Sequence, residues 1–476
     1  MIPSRRLLGL AYLLAATTAR GQDAAPLPFL LRGIALDVRV GYANGNVAGS
    51  ETILLRNSST KPAAAIPFLL NRLMTVSGVT DGTGASLALQ QRFVLFVDDS
   101  LQQVNAITVT LPHPLAPGDS IAIRLAYGGH LVGYEETGSL YIRDHVDSAF
   151  TILRSDAYAY PVLGVPSRAV NRATGYPDFD FDVRVTVPAG EVVATGGEPL
   201  ASPRRDSLVT WHYRSSRPSP TLNIAIAPYH VRDRAGVRIF YFPQDSNGAA
   251  MVGRAIAGAI TDFTAWFGPL GDTARLTVIE IPEGWGSQAS LAGGIIQTAD
   301  AIRDGGQLYQ VYHELSHLWN VEDTDRPSPR WNEGLAMFLQ WRVAEHLDGW
   351  KGWDARWERM AQRIKENCAA PTPCASVPFI DYGKREMTDL SYGVGMAMFY
   401  ALYHTMGAAK FDRAYGRFYQ KYRASGATSA ELIAAFRAED KATDLIFREW
   451  FTATKWYERL AAGEPLKRIV EGYARN

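Results

Sequence analysis

Tyr312-His313-Glu314-Leu315-Ser316-His317-Leu318-Trp319-Asn320, followed beyond Pro327 and Pro329 by Arg330-Trp331-Asn332-Glu333-Gly334-Leu335-Ala336, is the stretch on which the reading of the chain turns. Leu308, Val311, Tyr312, Leu315, Leu318 and Trp319 recur at helical spacing, which predicts a mostly buried helix. Residues four apart on a helix lie one turn above the other, so His313 and His317 can offer two imidazole nitrogens to one ion. Glu314, about 100° round the axis, borders the same cleft. A catalytic zinc site takes three protein ligands and leaves a fourth position open. Glu333, at the start of the next helix beyond the helix-breaking prolines, is the best-placed third ligand. Two ordinary helical histidines would give the same local pattern, but a chance match would lack that carboxylate.

On these residues the chain resembles the gluzincin zinc metallopeptidases, in particular the aminopeptidase N family, which includes the leukotriene hydrolase type. That family pairs a His-Glu-x-x-His helix with an Asn-Glu-Gly helix, matched here by residues 313–317 and 332–334. The resemblance implies one zinc per chain on His313, His317 and Glu333, with Glu314 as general base. It also implies peptide-bond hydrolysis by metal-activated water on a peptide substrate. The spacer from Leu318 to Asn332 is shorter than is usual in the family. His317-Leu-Trp-Asn-Val321 is also similar to the glycyl aminopeptidases, a related group.

In that family a tyrosine at the start of a later helix, in Tyr-x-x-Gly, donates to the developing oxyanion. Tyr392 in Ser391-Tyr-Gly-Val-Gly395 matches, and a neutral phenol is a good donor at pH 7. A core tyrosine would read the same way. The family's aminopeptidases also carry a Gly-x-Met-Glu-Asn strand whose glutamate pairs with the substrate's α-amine. Between Gly286 and Gln297 this chain has the glycines and Gln288 but no Glu or Asp. Glu280 and Glu283 are the nearby carboxylates that could substitute, although each reads first as a solvated loop residue. An exported aminopeptidase is therefore the favoured expectation, with a zinc endopeptidase or altered specificity as the alternative. A noncatalytic zinc-stabilised binding protein is the reading from another class, and Glu314 speaks against it, since a structural site needs no general base.

A chain of 476 residues exceeds one hydrophobic core, so two domains are expected. With 47% hydrophobic and 20% charged residues it reads as globular, and zero formal net charge gives no support for a nucleic-acid partner. Arg5-Arg6, an apolar run from Leu7 to Ala16 and small residues at Ala19 and Gly21 predict a signal peptide over residues 1–21 and a secreted or periplasmic protein. That run is too short to span a bilayer, and no longer apolar stretch follows. Cys368 and Cys374, flanking a short Pro-rich loop, are expected to form a disulfide in an exported chain.

Residues 22–232 alternate apolar and polar over short runs, as in Phe181-Asp-Val-Arg-Val-Thr-Val187, with Gly, Pro and Asn between them. This predicts an N-terminal antiparallel β-sandwich, to which the family resemblance gives a saddle-like form. Residues 233–476 read as a small mixed sheet followed by helices, an α+β pattern that the resemblance makes a thermolysin-like catalytic domain. Asn320, Asn332 and Glu345 are candidates to orient the metal histidines. His346 and His404 read as structural, and Trp319 and Trp331 as packing beneath the site.

Overall fold

The computed structural model describes residues 24–131, 143–175, 177–234, 236–271, 275–290, 294–369, 376–385 and 387–474. The expected signal segment, 1–21, and Cys374 of the expected disulfide lie outside the described residues. The fold is mixed α+β, with a sheet-rich N-terminal half and a largely helical C-terminal half.

The alternating runs of the first half form strands because every second side chain finds a common apolar layer. In Asp180–Pro188, Phe181, Val183, Val185 and Val187 are buried, while Asp180 and Arg184 face outward. This strand lies beside Phe29–Gly41, which pairs on its other edge with Asn46–Asn57, and the sheet continues through Ser120–His130 to Met74–Asp81. A second sheet contains Ala63–Leu70, Ala88–Leu95 and Gln103–Leu115. Val38, Ile53 and Leu125 of the first share one core with Ile66, Phe68 and Ile107 of the second. The sheet departs from the wholly antiparallel expectation in one place: Phe29–Gly41 and Asp180–Pro188 run parallel. A parallel neighbour needs a long crossover, and more than a hundred residues of intervening chain supply it through the other sheets.

A small three-stranded sheet, Val192–Ala194, Asn223–Ala227 and Thr151–Arg154, ties the halves together. Its Ile152 and Ala225 pack with Phe240, Ile279 and Ile296 of the sheet that follows. That five-stranded sheet runs in the order His230–Arg234, Val237–Tyr241, Leu276–Ile281, Gly294–Thr298, Gln288–Ser290. Its inner pairs are parallel and both edge strands antiparallel. The expected boundary after residue 232 falls within its first strand. Helix Ser246–Phe267 connects the second and third strands and buries Val252, Ile256, Ala259, Phe263 and Phe267 at helical spacing.

Glu280 corrects the sequence reading. It sits in Leu276–Ile281, a strand covered on both faces, with no exposed surface. Its Oε2 accepts a 2.7 Å hydrogen bond from the Phe242 N–H, and burial pushes its carboxyl up to about 8. It is a core residue and not a loop carboxylate.

Three helices carry the predicted chemistry. Leu308–Ser316 runs directly into a 3-10 turn, His317–Trp319, so the motif's second histidine sits where the helix tightens. Trp331–Asp348 and Leu390–Met406 are buried nearly all round, as central helices of a large core are. They cross at Gly334 and Gly395: a Cβ on Gly334 would lie 2.5 Å from the Gly395 Cα, and one on Gly395 would lie 2.7 Å from the Gly334 Cα. Backbone-to-backbone contact of this kind leaves no room for a methyl group. It also fixes how close Tyr392, one turn before Gly395, comes to Glu333. Gly395→Ala is expected to destabilise the helical half by about 1–3 kcal/mol through overpacking, read as a lower urea midpoint for loss of helical circular dichroism. An unchanged midpoint would mean that the helices can part at no cost.

Candidate metal centre

Helix geometry and the loop after it bring three side chains to one point. His313 Nε2 and His317 Nε2 each lie 3.6 Å from Glu333 Oε2. One ligand atom from each of these residues falls within 4.8 Å of the others, in a site that is largely shielded from solvent. The two imidazoles meet edge-on, with ring centres 4.9 Å apart and planes at 87°. Glu333 Oε2 is buried and has no hydrogen-bond partner among the described residues. A buried anionic oxygen facing two imidazole nitrogens is what a divalent cation requires, and a mixed nitrogen and oxygen donor set suits zinc. The residues present therefore fit the ion that the sequence implies.

Electrostatics prepare the same donors. Burial drops the His317 imidazole to about 4, so it stays neutral with a free lone pair. Burial works against protonation of His313 as well, but the Glu333 and Glu314 carboxylates beside it and its Gln340 partner outweigh this and raise it. Burial also penalises the Glu333 charge; His317, His313 and Arg330 overcome that and hold its carboxyl well below the usual range. Glu314 differs: burial, reinforced by Glu333 and opposed by His313, lifts it to about 7. A carboxyl near neutrality can both accept and return a proton.

The partners of the imidazoles are partly those expected. Asn320 lies 2.8 Å from His317 Nδ1 through its side-chain amide. Its Nδ2 occupies that place, and an Nδ1–H with Nε2 free for a metal requires the amide turned to present Oδ1. Asn332 instead accepts from the Glu333 N–H through its own side chain. Glu345 is not at the site and accepts from the Trp353 indole. The partner of His313 is Gln340, whose Oε1 lies 2.9 Å from Nδ1. Gln340 stands seven residues after Glu333 on one helix, a spacing that puts both on the same face. His346 contacts Asp262 and His404 packs on Tyr400, away from the centre. Trp319 and Trp331 are fully buried.

Tyr392 stacks on His313, ring centres 6.2 Å apart and planes at 14°. Burial, with Glu333 adding to it, raises its phenol far above neutrality, so it remains a donor. Arg330, which the sequence reading passed over, donates from Nη2 to Glu333 Oε1 at 2.6 Å and to the Tyr392 oxygen at 3.2 Å. A cleft of about 530 Å³ opens beside His313 and Glu314, with Ser287, Asp300 and Gln340 among its walls. Glu283 stands at its rim with its side chain 62% exposed, as expected of a loop carboxylate. Edge strand Gln288–Ser290 packs near the His317–Trp319 turn. There Gln288 donates a 2.5 Å hydrogen bond to Asp156 of the sheet-rich half.

Comparison with solved structures finds the same fold. An M1 zinc metallopeptidase variant from Deinococcus radiodurans, bound to a Tyr-Ser-Ala substrate, matches with a TM-score of 0.63 at 20% identity, covering 90% of this chain and 95% of that one. The unsubstituted Deinococcus radiodurans M1 zinc metallopeptidase matches with a TM-score of 0.60 at 19% identity, over 89% and 93% of the two chains. A two-domain M1 zinc metallopeptidase variant bound to L-tryptophan matches at 0.61 and 20% identity, over 90% and 95%. No protein-family model and no curated protein sequence matches the chain.

Gln340→Leu, which removes the acceptor from His313 Nδ1, is expected to weaken zinc binding about 10–100-fold. Chelator competition measures it; wild-type affinity would show that Gln340 does not orient the imidazole.

Proposed function

We propose that the chain is a zinc-dependent peptidase, acting most readily as an aminopeptidase. The observation that carries this reading is the convergence of His313, His317 and Glu333 on one point, with the buried Oε2 of Glu333 left without a partner. The shared fold with M1 zinc metallopeptidases supports it. His313, His317 and Glu333 would hold the ion. When bound, zinc supplies a Lewis acid and makes water acidic near neutral pH.

The protein's own groups do the rest. Glu314, beside His313 in the cleft wall, accepts the proton of the attacking water and passes it to the leaving amine. The Tyr392 phenol donates to the oxygen that becomes negative as the carbonyl turns tetrahedral. The edge strand Gln288–Ser290 offers main-chain hydrogen bonds to an extended peptide. A carboxylate absent from that strand itself stands beside it in Asp156, which accepts a hydrogen bond from Gln288 and is the candidate partner for an α-amine. This favours a substrate with a free α-amine over the endopeptidase alternative. The raised Glu314 carboxyl, which a purely structural zinc site would not need, favours catalysis over a noncatalytic binding protein.

Export to the periplasm or medium belongs to the same reading and rests on the N-terminal Arg5-Arg6 and apolar run. Among the described residues no helix is long and apolar enough to cross a membrane. Amino-terminal sequencing of the chain from its native source should begin near residue 22; a start at Met1 would remove that element.

Glu314→Gln should keep its zinc and lose hydrolysis by at least about 10²–10⁴-fold; wild-type turnover would refute the assignment of the base. A free-amine peptide should be cleaved faster than its N-acetylated twin, and Asp156→Asn should narrow that gap. Equal cleavage of the two by the wild type would instead establish the endopeptidase alternative.

A further inference from the structure

Arg330 holds both Glu333 and Tyr392 through a single nitrogen. Its Nη2 donates to Glu333 Oε1 at 2.6 Å and to the Tyr392 hydroxyl oxygen at 3.2 Å, and the guanidinium lies 5.6 Å from the phenol ring centre. The backbone that sets this side chain in place is unusual. Arg330 adopts the left-handed region, φ 60 and ψ 41, at the N-cap of Trp331–Asp348. A non-glycine residue there is held by its surroundings. Ser328 Oγ accepts from the Arg330 N–H at 2.9 Å and donates to Asp323 at 2.8 Å, and the Arg330 carbonyl accepts from the Glu333 N–H at 3.1 Å.

The consequence lies in how the two oxygens of Glu333 are divided. Oε1 is taken by Arg330, while Oε2 faces the two imidazoles. The phenol oxygen likewise has one lone pair committed to Arg330, which sets the plane in which its hydrogen can swing. We propose that Arg330 is a positioning residue that restricts Glu333 to one metal-facing oxygen and aims the Tyr392 hydroxyl, acting on the reaction through these two side chains and not by touching the substrate. This rests on the zinc-peptidase reading above. An arginine that served only to balance the Glu333 charge would not couple to Tyr392.

Arg330→Gln, Tyr392→Phe and the double variant test it, with cobalt(II) in place of zinc as a second readout independent of turnover. Arg330→Gln should lower kcat about 10–100-fold with KM nearly unchanged. The double variant should be slowed by less than the product of the two single losses, because the part of Arg330's effect that passes through Tyr392 has nothing left to act on. Release of Oε1 to a bound cobalt ion should weaken the visible bands, as higher coordination does. Losses that multiply in the double variant, a wild-type kcat, or an unchanged cobalt spectrum would each overturn the proposal. Arg330→Met is the second variant, with the same expectations, should the first fail to fold. A wild type that binds neither zinc nor cobalt would sink the peptidase reading itself; a wild type that binds and hydrolyses while Arg330→Gln behaves identically would sink only the role of Arg330.

Discussion

One carboxylate oxygen, buried between two imidazole nitrogens and without a hydrogen-bond partner among the described residues, is the constraint around which the helical half is arranged. Leaving an anionic oxygen in the interior without a donor costs several kcal/mol unless a cation answers it. The surroundings make that charge permanent and not transient: His317, His313 and Arg330 together keep Glu333 ionised against its burial. The same burial keeps His317 neutral, so the site presents a negative charge and an imidazole lone pair toward a common centre. Burial thus keeps the His317 imidazole neutral while the neighbouring His and Arg groups keep the carboxylate charged, and the two effects serve a single coordination geometry.

Packing transmits this arrangement to the remaining groups. The Gly334–Gly395 crossing brings two helix backbones into contact, and Tyr392 comes within reach of both Arg330 and His313 as a result. Gln340, two turns beyond Glu333 on the same helix, meets the Nδ1 of His313. The small mixed sheet sets the opposite side of the cleft, and its edge strand meets Asp156 from the sheet-rich half. The two halves of the chain are thus joined by a side-chain hydrogen bond at this edge strand.

Much of this was legible in the chain before any coordinates. The spacing of His313, His317 and the apolar residues around them is a local helical signal, and Glu333 followed from its place after the prolines. Alternation in Phe181–Val187 foretold strands, because one face of that sheet meets the core and the other meets water. What failed was non-local or lay outside those patterns. The parallel pairing of Phe29–Gly41 with Asp180–Pro188 joins segments far apart in sequence, and no periodicity encodes which partner a strand takes. Glu280 was misread because its strand is covered on both faces, where alternation no longer separates inside from outside. Glu345, one candidate partner of the histidines that also read as a helix-surface residue, accepts from the Trp353 indole instead. Gln340 stands seven residues after Glu333, so helical spacing alone could have placed it on that face, whereas Arg330 lies at a left-handed cap outside the helix, where no periodicity reaches.

The central claim is tested most directly by crystals of the full chain soaked with zinc and measured at the zinc absorption edge. The account predicts one anomalous peak per chain, about 2.0–2.2 Å from His313 Nε2, His317 Nε2 and a Glu333 carboxylate oxygen. A map with no peak at that point, or with the ion bound elsewhere and Glu333 still pointing into an empty centre, would contradict it.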